Sequence, residues 1–309
     1  MAGYDSWDAN SIAKISKYIT EAMDKVLVQE SKTNGMRAEG SMIEAGKNAK
    51  TIYLATPSAN GAGNYSTTKG WTKNKGTLTW EAYTLRYDRG TSFLVDSLET
   101  AETNGLASVG MIANEFIRTQ MVPEIDAVRL ATASSVAVTE GYTNSETINK
   151  DNIVTRITEE IDNIYDRTGV DTGLTIYVNN KLKNVLNASS EYTKVRQIME
   201  GPTGINTVVE SINGNVIQYV PSTRMYSKID LKDGQTESGY DKATDGVGIN
   251  FLIAKPGSAQ GVVSYTNTFI LPKGTHTEGD GDFYGYRIYH DCLCPKQQRK
   301  GLYSSLATS

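Results

Sequence analysis

Residues 51–85 read TIYLATPSANGAGNYSTTKGWTKNKGTLTWEAYTL, and this stretch decides the expected shape of the chain. β-forming segments at Thr51–Ala55 and Thr77–Leu85 flank a middle rich in Gly, Ser, Thr and Asn, which predicts a long β-hairpin with an irregular tip. With about 12 residues per strand, the tip would reach roughly 40 Å from the base. The tip is too polar to bury itself, yet it contains Tyr65 and Trp71. Large aromatic side chains in such a segment are typical of anchors into a partner surface.

The segments on both sides of this hairpin predict helices. Apolar residues at helical spacing predict a first helix over Ile12–Val26 and a long helix that includes Leu98–Ile117. Pro123 predicts a kink or a restart of that helix, because proline lacks a backbone donor and restricts the residue before it. A further helix is expected over Asp151–Arg167, ending before Gly169.

The C-terminal half predicts mainly strands. Its clearest local signal is Asn213–Gly214 between TVVESI and NVIQYV, which predicts a hairpin with a type I′ turn over Thr207–Val220. A short helix is expected around Lys181–Ala188. Strands are predicted at Leu174–Val178, Ile249–Lys255, Phe283–Cys294 and Gly301–Leu306. The fold class is therefore α+β.

Composition excludes several classes of protein. The 309 residues include 31 basic and 35 acidic ones, a net charge of −4, which disfavours stoichiometric binding of nucleic acid through its phosphates. No apolar run is long enough to span a bilayer, so no membrane partner is expected. The first ten residues have no apolar core, so no secretory signal is expected. The two cysteines form one Cys-x-Cys and cannot provide a disulfide framework.

Candidate catalytic chemistry is sparse. His290, Cys292 and Cys294 alternate along one predicted strand, and imidazole plus two thiolates is a possible zinc shell. Ligands two residues apart on one strand rarely close a tetrahedron, and no fourth ligand is evident. Gly61-x-Gly63 is followed by Ser66 where a dinucleotide loop needs glycine, and no buried strand leads into it. We expect no catalytic residue, no metal and no cofactor.

An ordered series of short motifs carries a resemblance. They are Tyr65-Ser66, Gly70-Trp71, Thr79-Trp80-Glu81, Asp88–Phe93 with Asp96, Glu115-Phe116 with Arg118, Pro123–Ala127, Pro221–Met225 and Tyr284–Asp291. From about Thr51 to Tyr303, this set resembles the major capsid (head) proteins of tailed bacteriophages, of the Hong Kong 97-like capsid fold family. The resemblance implies an N-terminal arm (1–50), an extended β-hairpin loop (51–96), a spine helix with the first part of the peripheral domain (97–147), an axial domain (148–273) and the second part of the peripheral domain (274–309). The spine helix would cover Ser97–Val122.

The resemblance also implies a function. It implies a structural protein, not an enzyme, that self-assembles as hexamers and pentamers into an icosahedral shell around double-stranded DNA. The implied partners are a separate scaffolding protein and a portal, and the implied location is the virion, assembled in the host bacterial cytoplasm. A net charge of −4 suits such a container, because its lining should not adhere to DNA. Expected inter-subunit contacts are Tyr65, Lys69, Trp71, Trp80, Asp88, Arg89, Arg118, Glu124 and Asp126.

Two other functions stay open from the sequence. One is an encapsulin-like bacterial compartment shell of the same fold that holds enzyme cargo. The other is a metal-dependent hydrolase that uses His290 and the two cysteines. If the chain is a phage capsid protein, we expect the helix at Ile12–Val26 to stay intact in the mature particle. We also expect no covalent links between subunits, because the last asparagine of the sequence is Asn267, before the C-terminal strands of the peripheral domain.

Overall fold

The computed structural model describes residues 25–26, 29–38, 43–45, 50–58, 61, 63–65, 67–68, 76–96, 112–169, 171, 173–192, 196–199, 209–234, 236–271 and 273–308. The helix predicted over Ile12–Val26 lies almost entirely outside these residues. The α-helices are α1 (Val122–Thr139), α2 (Ile153–Thr168) and α3 (Lys183–Asn187). The strands are β1 (Ile43–Ala45), β2 (Thr51–Ser58), β3 (Thr77–Thr84), β4 (Tyr87–Asp96), β5 (Thr143–Ser145), β6 (Thr175–Asn179), β7 (Arg196–Met199), β8 (Val209–Ile212), β9 (Asn215–Val220), β10 (Ile229–Leu231), β11 (Tyr240–Lys242), β12 (Ile249–Ala254), β13 (Gln260–Leu271), β14 (Gly281–Leu293) and β15 (Leu302–Leu306).

A seven-stranded mixed sheet, in the order β5-β15-β12-β6-β9-β8-β7, holds the largest part of the core. Its interior strand β12, between β15 and β6, is buried along its whole length. Leu252 points to a cluster that contains Leu130 of α1, and Phe251 points to a cluster that contains Ile157 of α2. A strand buried on both faces reads as a continuous apolar run, which is the pattern at Phe251–Ala254.

A separate three-stranded sheet has the order β13-β14-β4. Tyr284 and Ile288 of β14 pack against Ile117 and Ile125, so the first turns of α1 and the turn before it cover one side of this sheet. The later turns of α1 pack on the seven-stranded sheet. Helix α1 is thus the shared element between the two sheets.

The predicted hairpin is present. Strands β2 and β3 pair antiparallel from Thr51 opposite Thr84 to Ser58 opposite Thr77, and β1 adds a third strand beside β2. The predicted turn at Asn213–Gly214 is also confirmed, with positive φ values of 49° and 78° at these two residues, as a type I′ turn requires. Helix α2 ends where predicted, with Gly169 in the left-handed conformation.

The helix around Pro123 shows the predicted restart, since α1 begins at Val122 after a π-helical turn, but it does not show the predicted end of the spine helix. A spine helix ending at Val122 is wrong, because the helical chain continues through Pro123 to Thr139. A π-helical turn at Ile117–Met121 precedes the proline, and the N–H of Val122 bonds to the carbonyl of Ile117. The proline follows this wider turn directly, at the second residue of α1, and lacks the N–H that an interior helix residue donates.

Strand pairing crosses the predicted domain boundaries. Strand β4, predicted within the extended loop, pairs with β14. Strand β13, which the sequence reading missed, lies in the predicted axial segment but also pairs with β14. Strand β15, predicted in the peripheral domain, joins the seven-stranded sheet beside β12. The five-part division remains a prediction, and the sheets suggest different limits for it.

Candidate inter-subunit surface

The hairpin carries an apolar face that stays exposed among the residues that the structure describes. Because facing residues of an antiparallel pair share one side, Tyr53 and Ala82 lie on the same side as Ala55, Trp80 and Leu78. Tyr53 is 39% exposed, Trp80 is 51% exposed and Leu78 is 58% exposed. We call these five residues the hairpin face. Large apolar side chains grouped on one exposed surface are typical of an interaction site.

The opposite face of the hairpin holds it to the body. Ile52 and Leu54 on that face are buried. At the base, Ile52 and Leu85 pack in one cluster with Val262, Tyr289 and Leu293. Beside them the Tyr83 hydroxyl donates to Glu81 at 2.6 Å, and burial together with that carboxylate raises the pKa of Tyr83 to about 12. One face of the hairpin is thus attached and the other uncovered.

The predicted anchors in the tip are only partly described. Tyr65 is 60% exposed. Lys69 and Trp71 lie outside the described residues. The inter-subunit roles of all three therefore stay predictions, while Trp80 is placed on the hairpin face.

A second exposed apolar surface lies on the side of the three-stranded sheet that faces away from α1. Leu271, Phe283 and Leu94 form a row across its three strands. Phe269 lies beside this row with its ring centroid 5.9 Å from that of Phe283. A Cβ atom at Gly285 would lie 2.2 Å from the Phe269 ring, so only glycine lets this ring lie across the sheet. We call Leu94, Phe269, Leu271 and Phe283 the outer sheet face.

Two of the predicted contact residues form exposed ion pairs. Arg287 donates to Asp88 on the outward side of the three-stranded sheet, with Nε 2.8 Å from Oδ1, and this bond lowers the pKa of Asp88. Arg118 pairs with Glu115 one turn earlier in the helix at 2.9 Å. Both pairs are accessible to a neighbour, and their inter-subunit roles stay predictions.

Arg89 and Glu124, predicted as separate contacts with a neighbour, instead bind each other. Arg89 Nε lies 2.6 Å from Glu124 Oε1, and the same guanidinium donates to the carbonyls of Lys232 and Gly239 at 2.7 and 3.2 Å. Burial raises the pKa of Glu124, although the Arg89 bond opposes the shift. Because Glu124 is buried by its own chain, we replace its predicted inter-subunit contact with an intrachain one that ties β4 to α1 and to the β10–β11 hairpin.

Asp126 is also an intrachain residue. Its carboxylate has no exposed surface and accepts bonds from Ser31 Oγ at 2.6 Å, the Lys32 backbone N–H at 2.9 Å and Thr33 Oγ1 at 2.6 Å. Arg224 Nη1 approaches it at 2.8 Å from the loop after β9. Asp126 therefore binds residues 31–33 and that loop to helix α1, and this role replaces the predicted contact with a neighbour.

The residues of the alternative metal site, His290, Cys292 and Cys294, are all buried. Burial, with Arg129 nearby, lowers the pKa of His290 to about 3, so the imidazole is neutral near pH 7. A hydrogen bond with Cys294 and burial raise the pKa of Cys292. Buried thiols of this kind are poor nucleophiles. Within the described ranges, no three His, Cys, Asp or Glu residues are grouped to hold a metal ion.

Sequence reasoning missed two features of this region. The outer sheet face needs β13, whose alternating β-branched and aromatic residues in VVSYTNTFIL were a usable signal. The second feature is the ion pair between Arg86 and Asp291. No local sequence pattern indicates it, because the two residues are 205 positions apart.

No helix in the described part of the chain has the length and apolar character needed to cross a membrane. No protein-family model matches the sequence, and no curated protein matches it.

The fold does match solved structures. A chain from the mature capsid of bacteriophage PhiM1 is 13% identical with a TM-score of 0.57, over 90% of this chain and 87% of that one. A chain from the capsid of cyanophage P-SCSP1u is 11% identical with a TM-score of 0.55, over 84% of each chain. A chain from Microbacterium phage Oxtober96 is 12% identical with a TM-score of 0.55, over 90% of this chain and 91% of that one. Since likeness at such low identity bears on architecture alone, the protein has the fold of phage capsid proteins.

Proposed function

We propose that this chain is the major capsid protein of a tailed bacteriophage and that its copies assemble into the icosahedral head shell. One observation carries the proposal: a phage capsid fold from which a hairpin projects with an uncovered apolar face. Such a face is stabilised when copies pack and remove it from water. The Hong Kong 97-like form of the fold, and hexamers and pentamers as the units of the shell, are parts of this proposal.

The sheets suggest how the implied domains map onto the chain. The β2–β3 hairpin would be the extended loop, and the helical residues 112–121 with α1 would be the later part of the spine. The seven-stranded sheet would form the axial domain, and the three-stranded sheet would form the peripheral domain. Residues 1–50 would be the N-terminal arm, joined to α1 through Asp126.

The proposed partners are other copies of the chain, a separate scaffolding protein and a portal, in a virion assembled in the host cytoplasm. The net charge of −4 supports a shell that encloses DNA without adhering to it. The role is structural and not enzymatic, in keeping with the buried, neutral state of His290.

Electron microscopy of the purified full chain tests this function. We expect closed shells, or rings of five and six copies, when the protein is concentrated or crowded. A chain that stays monomeric under all these conditions would contradict the proposal. Shells that copurify with an enzyme inside would instead support the compartment-shell alternative.

Trp80→Ala should weaken assembly while leaving the monomer folded. Trp80 is the largest side chain of the hairpin face, and truncating a central aromatic anchor costs about 2 kcal/mol or more per contact, roughly a 30-fold higher assembly concentration. Light scattering across a concentration series measures the shift. Val138→Ala, which truncates a similarly exposed side chain on α1, is the control and should assemble like the parent. Equal assembly by both variants would remove the hairpin face from the interface.

Shells of this protein should be non-covalent and should run as a single 33.7 kDa band on denaturing gels. The sequence-based reason for this expectation needs correction, because β13 places Asn267 in the three-stranded sheet. Asn267 is exposed there, so the expectation no longer rests on the lack of an asparagine and can be tested at this residue. Oligomers that resist boiling and reductant, and that disappear in Asn267→Ala, would show the expectation to be wrong.

A further inference from the structure

The hairpin joins the body of the protein through a very short junction. Strand β3 ends at Thr84 and β4 begins at Tyr87, so only Leu85 and Arg86 lie between them. The Leu85 side chain is buried, and its N–H donates to the carbonyl of Lys50 at 2.8 Å. The way these two residues are held therefore contributes to the direction in which the hairpin leaves the body, together with the packing of Ile52 at its base.

One buried carboxylate holds Arg86 by both its backbone and its side chain. Asp291 of β14 accepts the Arg86 backbone N–H at 3.0 Å, Nε at 3.0 Å and Nη2 at 2.9 Å. The Cys292 N–H also donates to Asp291, at 2.8 Å, which fixes the carboxylate itself. The Asp291 side chain is only 3% exposed, whereas that of Arg86 is 55% exposed. This pairing fixes the backbone of the junction as well as the guanidinium.

We propose that the Asp291–Arg86 pair is the joint that sets the angle between the hairpin and the body, and through that angle the size of the assembled shell. Asp291 is a positioning residue, since it is buried and acts through Arg86. A hairpin held at one angle presents the hairpin face to a neighbour in one direction only, and repeated contacts in one direction give a shell of one curvature. The effect on shell size rests on the proposed function, whereas the effect on the angle does not.

The chain supplies a matched control in the same sheet. Arg287 and Asp88 form a second arginine–aspartate pair between β14 and β4, also with two guanidinium nitrogens on one carboxylate. This pair lies within the paired strands β4 and β14, where Asp88 is the second residue of β4 after the junction. An arginine-to-lysine change keeps the positive charge but removes the guanidinium that donates two hydrogen bonds to one carboxylate. Arg86→Lys and Arg287→Lys are therefore equivalent chemical changes at different places.

The angle can be measured in the unassembled full chain by electron paramagnetic resonance. Spin labels at Thr77→Cys on the hairpin and Asn267→Cys on the three-stranded sheet are both at exposed positions. We expect one narrow distance distribution in the parent, and a distribution about twofold broader or shifted in Arg86→Lys, because a lysine keeps the backbone N–H bond but replaces the two guanidinium donors with a single ammonium. Arg287→Lys should match the parent. A chain without the introduced cysteines reports any labelling of Cys292 and Cys294.

The outcomes distinguish a pair that sets the hairpin angle from one that only stabilises the fold. A lower melting temperature in Arg86→Lys with an unchanged distance distribution would overturn the proposal. Asp291→Asn should broaden the distribution in the same way, and Arg86→Lys decides the matter if Asp291→Asn does not fold. Micrographs then test shell size: mixed diameters in Arg86→Lys and one diameter in Arg287→Lys are expected. Uniform parental shells from a chain with a broadened angle would overturn the link to size, whereas a parent that forms no shells would count against the proposed function alone.

Discussion

Deletion of Asn60–Trp71 should leave a folded, soluble monomer that no longer closes into shells. The deleted residues lie between the two hairpin strands, so the Thr51–Ser58 and Thr77–Thr84 pairing remains, as do the contacts of Ile52 and Leu85 with the body. Ordering a polar tip costs about 1–2 kcal/mol of backbone entropy per residue, which contacts with neighbouring subunits would have to offset. Circular dichroism and thermal melting report the fold, and light scattering under assembly conditions reports closure.

A Gly/Ser segment of equal length in place of 60–71 tests whether assembly needs only the length of the tip or also its side chains. It keeps the span of the loop and removes Tyr65, Lys69 and Trp71, so we expect it to fail in assembly as the deletion does. Trp71→Ala alone should weaken assembly by a few kcal/mol, the range of an interface hot spot. A deletion that unfolds the monomer would show that the tip belongs to the core. Normal assembly by the deletion would remove the tip from the inter-subunit contact and weaken the capsid proposal.

Asp126→Asn should lower the free energy of unfolding by about 3–5 kcal/mol, the cost of breaking a buried ion pair. The carboxylate has no exposed surface and is the shared acceptor for Ser31, Thr33 and Arg224. An amide cannot accept all these bonds, since one of its two positions is a donor, and Arg224 would lose its counter-charge. Urea denaturation followed by circular dichroism measures the loss. Faster proteolysis near residues 31–33 should accompany it, because Asp126 is what binds them to α1.

Asp88→Asn is the matched change at the surface. Its partner Arg287 is more than half exposed, and exposed pairs contribute about 0–1 kcal/mol, so we expect a loss below 1 kcal/mol. If Asp126→Asn proves as mild as Asp88→Asn, the network around Asp126 does not hold residues 31–33 in place.

Local patterns in the sequence were enough to predict most single elements. The type I′ turn at Asn213–Gly214 and helix α2 with its terminal Gly169 depend on residues close in the chain, so the sequence displays them directly. The hairpin at 51–84 was predictable for the same reason. The π-helical turn before Pro123 was not, because a proline permits both a break and a wider turn, and packing on the three-stranded sheet selects between them.

The sequence by itself determined the α+β class, the projecting hairpin and the presence of aromatic side chains in it, since each follows from periodicity and turn chemistry. Only the tertiary structure decided which charged residues lie inside. Glu124 and Asp126 look like surface acids of a first helical turn, yet they are buried because Arg89 and Arg224, distant in sequence, supply their counter-charges. Likewise, β4 joins β14 although 184 residues lie between Asp96 and Gly281. Such pairings depend on contacts between distant segments, and no local pattern encodes their partners.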